Sequence, residues 1–354
     1  MTMQTTVMQP GVLAALGSAF LFGTGTPLAK SLLDAISPWL LAGLLYLGSG
    51  IGLALYRLLI GASWPRLNGG ETKWLAAAVL CGGGLAPVLL MLGLSAMAAS
   101  HAALLLNAEA VLTALLAWIV FKENFDRRIA TGMAAIVAGA LLLCWPQPQS
   151  LTSSQAGAAL WPALAVLLAC LFWALDNNFT RKVSLTDASW IACVKGLAAG
   201  AVNLALAFAD GASLPGIGLV TAAMAVGFVA YGVSLALFVV GLRHLGASRA
   251  GAYFSIAPFV GALFSVLFLA EPVTWQLLAA AALMGLGVWL HLTEHHAHAH
   301  GHEAMEHDHP HAHDQHHPHD HAAMVAGTHS HRHRHEPMSH SHAHYPDAHH
   351  RHPH

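Results

Sequence analysis

Ten apolar stretches joined by short polar connections constrain this chain more than any other feature of it. They run approximately over 11–33, 36–60, 73–97, 99–121, 128–145, 157–179, 188–209, 217–242, 248–270 and 273–292. Each is near the roughly 20 residues that a helix needs to cross the ~30 Å hydrocarbon layer of a bilayer. Composition agrees: Asp, Glu, Lys and Arg make up 9% of the 354 residues, against about 25% in a soluble domain. So few charges cannot cover a water-facing surface, which excludes a water-soluble enzyme. The expected fold is an all-α integral membrane protein with the lipid bilayer as its first partner. A formal net charge of −2 gives no reason to expect a nucleic-acid partner. Cys81, Cys144, Cys170 and Cys193 lie inside apolar runs without a CxxC pair. They read as small core residues, not as a disulfide framework or a zinc site. Residues 1–10 lack the basic region of a signal peptide, so the first apolar run is expected to stay in the protein.

Basic residues set the expected orientation, because cytoplasmic connections carry an excess of Lys and Arg. With a cytoplasmic N-terminus, one face receives Arg57, Arg66, Lys73, Lys122, Arg127, Arg128, Arg181, Lys182, Arg243 and Arg249, plus the three tail arginines. The opposite face receives Lys30, and Lys195 lies within a span. The expectation is a ten-helix membrane protein with both termini cytoplasmic. Residues 11–145 and 157–292 each supply five spans, and 146–156 (PQPQSLTSSQA) is the linker between them.

The halves repeat each other. Shifted by 148 positions, Gly93-Leu94 falls on Gly241-Leu242, Ala99-Ser100 on Ala247-Ser248, Glu123 on Glu271 and Gly139 on Gly287. An odd number of spans per half would place the second half upside down, giving two inverted five-helix repeats, a transporter architecture. Three segments carry a resemblance: Phe22 to Lys30 (FGTGTPLAK) followed by Ile36-Ser37-Pro38; Ala99 to Leu105 closing on Phe121-Lys122-Glu123; and Ala247 to Ala250, with Pro258, closing on Glu271-Pro272. In their order, spacing and duplication they resemble two EamA repeats of the drug/metabolite transporter superfamily, over roughly residues 11–292. The resemblance implies a secondary transporter of the inner (plasma) membrane, a permease that moves metabolites, often outward, by alternating access. One departure from the family pattern is Ala110, where the family often has Pro in the fourth helix; the second half keeps Pro258.

An ionisable group at the centre of a membrane helix costs about 2.5–3.5 kcal/mol on insertion scales, so such residues are candidates for function. Glu109 sits near the middle of the fourth span and reads as a proton-coupling carboxylate, or else as a buried Glu satisfied by Lys or backbone. Asn107 is about 200° round the helix from it, so the two do not share a face. Asp176-Asn177-Asn178 stands where Gly25-Thr26-Pro27 stands in the first span, and both are expected to interrupt their helices at a binding region. The alternative places Asp176 at a frayed helix end. Lys195, roughly 10 Å into its helix by the 1.5 Å rise, snorkels to the interface, pairs with Glu109 or Asp176, or holds an anionic substrate. His101 reads as interfacial and Trp173 as a pocket wall or part of the aromatic belt. Glu123 and Glu271 close equivalent helices where the dipole disfavours a carboxylate; both are expected to cap the following helix. Pro87, after Gly82-Gly83-Gly84, and Pro258 are expected to kink their helices.

Residues 293–354 differ from the rest. They hold 24 of the 27 histidines, mostly in H-x-H patterns such as His296, His298, His300 and His331, His333, His335. Low apolar content predicts a disordered cytoplasmic tail. Spaced imidazoles with carboxylates suit Ni²⁺, Co²⁺, Cu²⁺ or Zn²⁺, so divalent metal ions are possible partners, although no cofactor is required. Two functions remain open: a proton- or gradient-coupled transporter of small organic metabolites, amino acids or drugs, and a transition-metal permease or efflux protein buffered by the tail. A metal sensor or scaffold is disfavoured by the ten-helix repeat. The sparse His, Cys, Asp and Glu within the spans favour the organic cargo.

Overall fold

The computed structural model describes residues 10–65, 69–121, 127–145, 153–181, 183, 186–238, 240–241, 251 and 253–292, with 297–302, 305–311, 329–335 and 338–343 in the tail. The body is all-helical. Among the described residues, seven helices are long and apolar enough to cross a membrane: α1 (Pro10–Leu33), α2 (Pro38–Leu59), α3 (Gly69–Ser95), α4 (Ala99–Leu116, with helix continuing to Phe121), α6 (Leu160–Thr180 within a helix from Ser153 to Arg181), α7 (Ser189–Ala209, starting at Ala188) and α8 (Ile217–Phe238). Three described apolar helices are shorter: α5 (Arg127–Cys144), α9 (Ala257–Phe268) and α10 (Trp275–Leu292). In hydrocarbon every backbone group must be satisfied within the protein, and the helix does this for almost any apolar sequence. The boundaries follow local chemistry. Pro38 opens α2 after Ser37, at a position where a missing N–H costs nothing. Asp187 caps α7 by accepting from Trp190 N at 3.1 Å.

Helices 6 and 1 depart from expectation. Asp176-Asn177-Asn178 was expected to interrupt α6, yet the helix runs unbroken from Ser153 to Arg181. The polar side chains there bond along their own helix, Asn178 Nδ2 to Ala174 O at 2.8 Å and Thr180 Oγ1 to Asp176 Oδ1 at 2.9 Å. Helix α1 is likewise continuous through Gly25-Thr26-Pro27. Helix α6 also begins within the stretch read as linker.

The real interruptions are elsewhere, and they come in pairs. Helix α3 contains a π-helical segment, Val79–Leu85, and α8 contains another, Phe228–Val233. Helix α4 breaks at Leu106-Asn107, and the helical turn over 253–254 breaks at Ser255-Ile256 before α9. Each pair occupies equivalent places in the two halves. Pro258 stands in the first turn of α9 and accounts for the second break. Ala110 has no such effect, but the break in α4 survives without a proline. Asn107 holds it, its N–H donating to Leu104 O at 3.1 Å and its Nδ2 to the same oxygen at 3.1 Å. A short polar side chain that bonds its own backbone competes with the helix ladder.

Packing is mainly between halves. Helix α2 lies on α7, α5 on α10, α1 on α9 and α4 on α6, while α2 meets α8 and α7 meets the π segment of α3. Each contact has its counterpart in the other half, so the repeat seen in sequence is also a repeat of contacts. Small residues allow the closest approaches, as in membrane bundles generally. A Cβ on Gly196 would lie 2.6 Å from Gly50 N, and one on Gly200 would lie 2.6 Å from Leu47 N.

The tail forms a separate unit, 295–354. The expectation of a wholly disordered tail is corrected over four segments. Strand β1 (Ala297–His302) pairs antiparallel with β4 (Met338–Ala343), and β2 (Met305–His311) with β3 (His329–His335). The H-x-H pattern has the period of two that a strand requires, which composition-based reasoning overlooks. His296 lies outside the described residues.

Glycine spacing at the α2–α7 contact yields a direct test. Gly200→Leu should cost about 1–3 kcal/mol through overpacking. Gly218→Leu, where nothing lies within 4 Å of the added Cβ, should change stability by less than about 0.5 kcal/mol. Thermal unfolding of the purified protein in detergent measures both.

Candidate functional site

Pro87 generates the site. It lacks an N–H, so Gly83 O has no donor four residues on and Gly82 O has none five residues on. These two carbonyls are freed inside the apolar body, where an unpaired group is costly. Three side chains from three other helices supply the missing donors. Tyr46 Oη of α2 donates to Gly82 O at 2.8 Å, Trp173 Nε1 of α6 to the same oxygen at 3.0 Å, and Asn203 Nδ2 of α7 to Gly83 O at 2.9 Å. Trp173 is therefore a wall of the site and not part of an interfacial belt.

Directly against Gly82 lies the carboxylate of Asp176, so close that a Cβ on Gly82 would collide with it. Lys195 Nζ of α7 bonds both Asp176 oxygens, each at 2.6 Å, and reaches Thr180 Oγ1 at 3.4 Å. The side chains of Lys195 and Asp176 are 13% and 7% exposed. Among the readings open for Lys195, pairing with Asp176 is the one the structure shows. Asp176 is buried and does not lie at a frayed end. A pair held in this way is neutral overall, which lessens the cost of burying either charge.

One residue further along α6, Asn177 Nδ2 donates to Glu109 Oε1 at 2.8 Å. Glu109 opens the second part of α4, just past the break. Asp176, Asn177, Lys195, Glu109 and Trp173 thus come together across α4, α6 and α7. Asn107 does not join them: it is buried and its Nδ2 meets Leu104 O and, at 3.9 Å, Met284 Sδ of α10. His101 also stays apart, near the N-terminus of α4, its Nδ1 3.4 Å from Ser100 Oγ.

An aromatic chain joins this region to the second half's interruptions. Tyr46 is 5.6 Å from Tyr231 in the π segment of α8, Tyr231 is 5.7 Å from Phe22, and Phe22 is 5.2 Å from Phe254, beside the break ahead of α9. Tyr46, Gly82, Asn203 and Tyr231 carried no sequence signal of function. Gly82-Gly83-Gly84 followed by Pro87 was the one available hint, since a proline four or five residues on identifies which carbonyls go unpaired.

Two clamps hold opposite groups of helix ends. Glu271, expected to cap the following helix, instead accepts from Ala99 N at 2.6 Å and Ser100 N at 2.9 Å, at the start of α4 in the other half. Lys30 Nζ donates to Leu94 O at 2.7 Å and Ser95 O at 3.2 Å, at the end of α3. An anion at a helix N-terminus and a cation at a C-terminus both suit the helix dipole. Together they grip the α3–α4 turn from both sides. Glu123 lies outside the described residues. At the other group of ends, the fully buried Arg57 donates to Asp187 Oδ1 at 2.8 Å, to Ser189 Oγ and to Ser63 O, with Trp64 5.4 Å from its guanidinium. Burial pushes the Asp187 carboxyl up, but the bonds from Ser189, Trp190 N and Arg57 outweigh it and hold it below the usual range. The support Asp187 gives is accordingly present above the ordinary aspartate range and lost as the pH falls below it.

Separating the Asp176–Lys195 pair has a defined expected cost. Asp176→Asn leaves a buried ammonium without its counter-charge and should destabilise by about 3–5 kcal/mol. Asp176→Leu combined with Lys195→Met should recover most of that loss. Denaturation of the three proteins in detergent checks the order.

Comparison with known proteins agrees with this architecture. A solved crystal structure superposes with a TM-score of 0.60 at 20% identity, covering 79% of this chain and 95% of its own, which shows a shared fold. An uncharacterized transporter of Methanothermobacter thermautotrophicus is 26% identical over 277 residues, spanning 74% of this chain and 80% of that protein. Residues 9–145 and 160–293 each match the EamA-like transporter family. The chain is therefore a membrane transporter, not an enzyme, and belongs to the EamA-like transporter family with two EamA domains.

Proposed function

We propose that this protein is a secondary transporter, working as an exporter of small organic metabolites, amino acids or drugs by alternating access, with Glu109 as its proton-coupling group. The observation that carries the reading is the paired interruption of α3 and α8 and of α4 and α9 around the Asp176–Lys195 and Glu109–Asn177 contacts. Discontinuous helices in equivalent places mark the binding region of repeat transporters. The full arrangement is ten spans in two inverted five-helix repeats, with both termini cytoplasmic. The basic residues on one face support that orientation. The Glu271 and Lys30 clamps on the α3–α4 turn then lie on the extracytoplasmic side. Their release lets that side open while the halves rock.

Glu109 suits the coupling role by its partner. Lys195 goes to Asp176, and Glu109 receives the neutral amide of Asn177, so gain or loss of a proton changes the charge of the site. The transition-metal reading has less support: among the described residues of the helical body no group of three or more His, Cys, Asp and Glu comes together to hold an ion along a path through the membrane.

The test is transport in proteoliposomes under an imposed pH gradient, with a panel of amino acids, small amines and drugs. Glu109→Gln should fold and insert normally yet lose gradient-driven transport by at least about tenfold, equivalent to 1.4 kcal/mol. Unchanged transport with unchanged pH dependence would overturn the coupling role.

A further inference from the structure

The register of the tail strands separates residue types between two faces. In β2–β3, His307 stands opposite His333, His309 opposite His331 and His311 opposite His329, with Met305 opposite His335 at the end. Directly opposed residues share a face, and so do residues two apart. All seven histidines and Met305 therefore fall on one face of this ribbon. Its other face carries Glu306 opposite Arg334, Asp308 opposite Arg332 and Pro310 opposite Ser330. Opposite charges placed directly across a ladder stabilise it. The pairing β1–β4 repeats the arrangement. His298 is opposite His342, His300 opposite His340 and His302 opposite Met338 on one face, with Ala, Gly and Ser positions on the other.

We propose that the β2–β3 ribbon is a binding site for divalent transition metal ions, with β1–β4 as a second, smaller one. Opposed residues of a ladder have Cβ atoms about 4.5–5.5 Å apart, and a metal–imidazole bond is about 2.0–2.1 Å. Positions at that spacing can share an ion. The pairs His307/His333 and His309/His331 together offer four imidazoles at successive ladder steps. Nitrogen donors joined by a thioether select Zn²⁺, Ni²⁺, Cu²⁺ or Co²⁺ over Ca²⁺ and Mg²⁺. The opposed charges on the far face have their own part, because they fix the register on which the histidine pairing depends. A ribbon of this kind is distinct from a loosely chelating His-rich segment, in which only the number of histidines counts.

The experiment is calorimetric titration of the full-length protein in detergent, purified without a histidine tag, with Zn²⁺ or Ni²⁺ as the sole ligand. Arg332→Glu with Arg334→Glu removes no ligand and sets like charges opposite Glu306 and Asp308. Affinity should fall at least about tenfold, although the added negative charge by itself attracts cations. Adding Glu306→Arg and Asp308→Arg returns the net charge to its native value, restores opposed pairs and should restore affinity. His307→Asn, His309→Asn and His311→Asn together should weaken binding more than the same substitution at His313, His316 and His317. The proposal is overturned if the two-arginine variant binds as tightly as the native protein, if the four-residue exchange fails to recover binding, or if the two histidine triples weaken it equally. Metal binding is read without transport, so failure here leaves the transport function untouched.

Discussion

Inside a bilayer no water is available to satisfy a backbone group, and one imino acid turns that constraint into a site. Pro87 leaves Gly82 O and Gly83 O without helical donors. The structure answers with Tyr46, Trp173 and Asn203, drawn from α2, α6 and α7. Recruiting those donors brings α6 and α7 against the π segment, and Asp176 and Lys195 arrive with them. The absence of a Cβ at Gly82 then admits the carboxylate. Backbone satisfaction and the placing of buried charge are here a single arrangement.

Symmetry accounts for much of what remains. The two π segments and the two helix breaks lie in matching places, but local causes differ between halves. Pro87 has no counterpart in the Phe228–Val233 segment, and Pro258 has none at Ala110. Each interruption persists where its proline is missing. This shows that the packed bundle itself favours the irregular geometry, and that a proline or an asparagine stabilises it locally. The polar residues gathered there are not symmetric at all. Asp176 and Lys195 belong to the second half, and Glu109 to the first.

Hydrophobicity alone located the described helices of the body, most of their ends to within a few residues, since bilayer crossing imposes length and apolarity on each span; α9 is the exception, beginning at Ala257 where the expected span began at 248. The family was legible as well, because its motifs recur in order and at fixed spacing. Partners were not legible. Glu271 reaches across 172 positions to Ala99, and nothing local distinguishes that from a cap on the next helix. Lys195 has a side chain long enough for several destinations, and only the fold chooses among them. Asp176 to Asn178 looked like a helix breaker because such side chains compete with the backbone; here they bond within the helix and leave it whole. Asn203 and Tyr46 were silent because a lone polar residue in an apolar helix reveals nothing about which carbonyl it will meet.

The two contacts at the centre differ in what they join. The Asp176–Lys195 ion pair links α6 to α7, both within one half, while the Asn177–Glu109 bond links α6 to α4 across the boundary between halves. Both depend on α6, whose own packing is on α3 and α4 of the other half. Asn177 and Asp176 are neighbours in sequence, so adjacent residues of a single helix turn reach into both halves. A displacement of that turn therefore alters the surroundings of Glu109 and of the Asp176–Lys195 pair together.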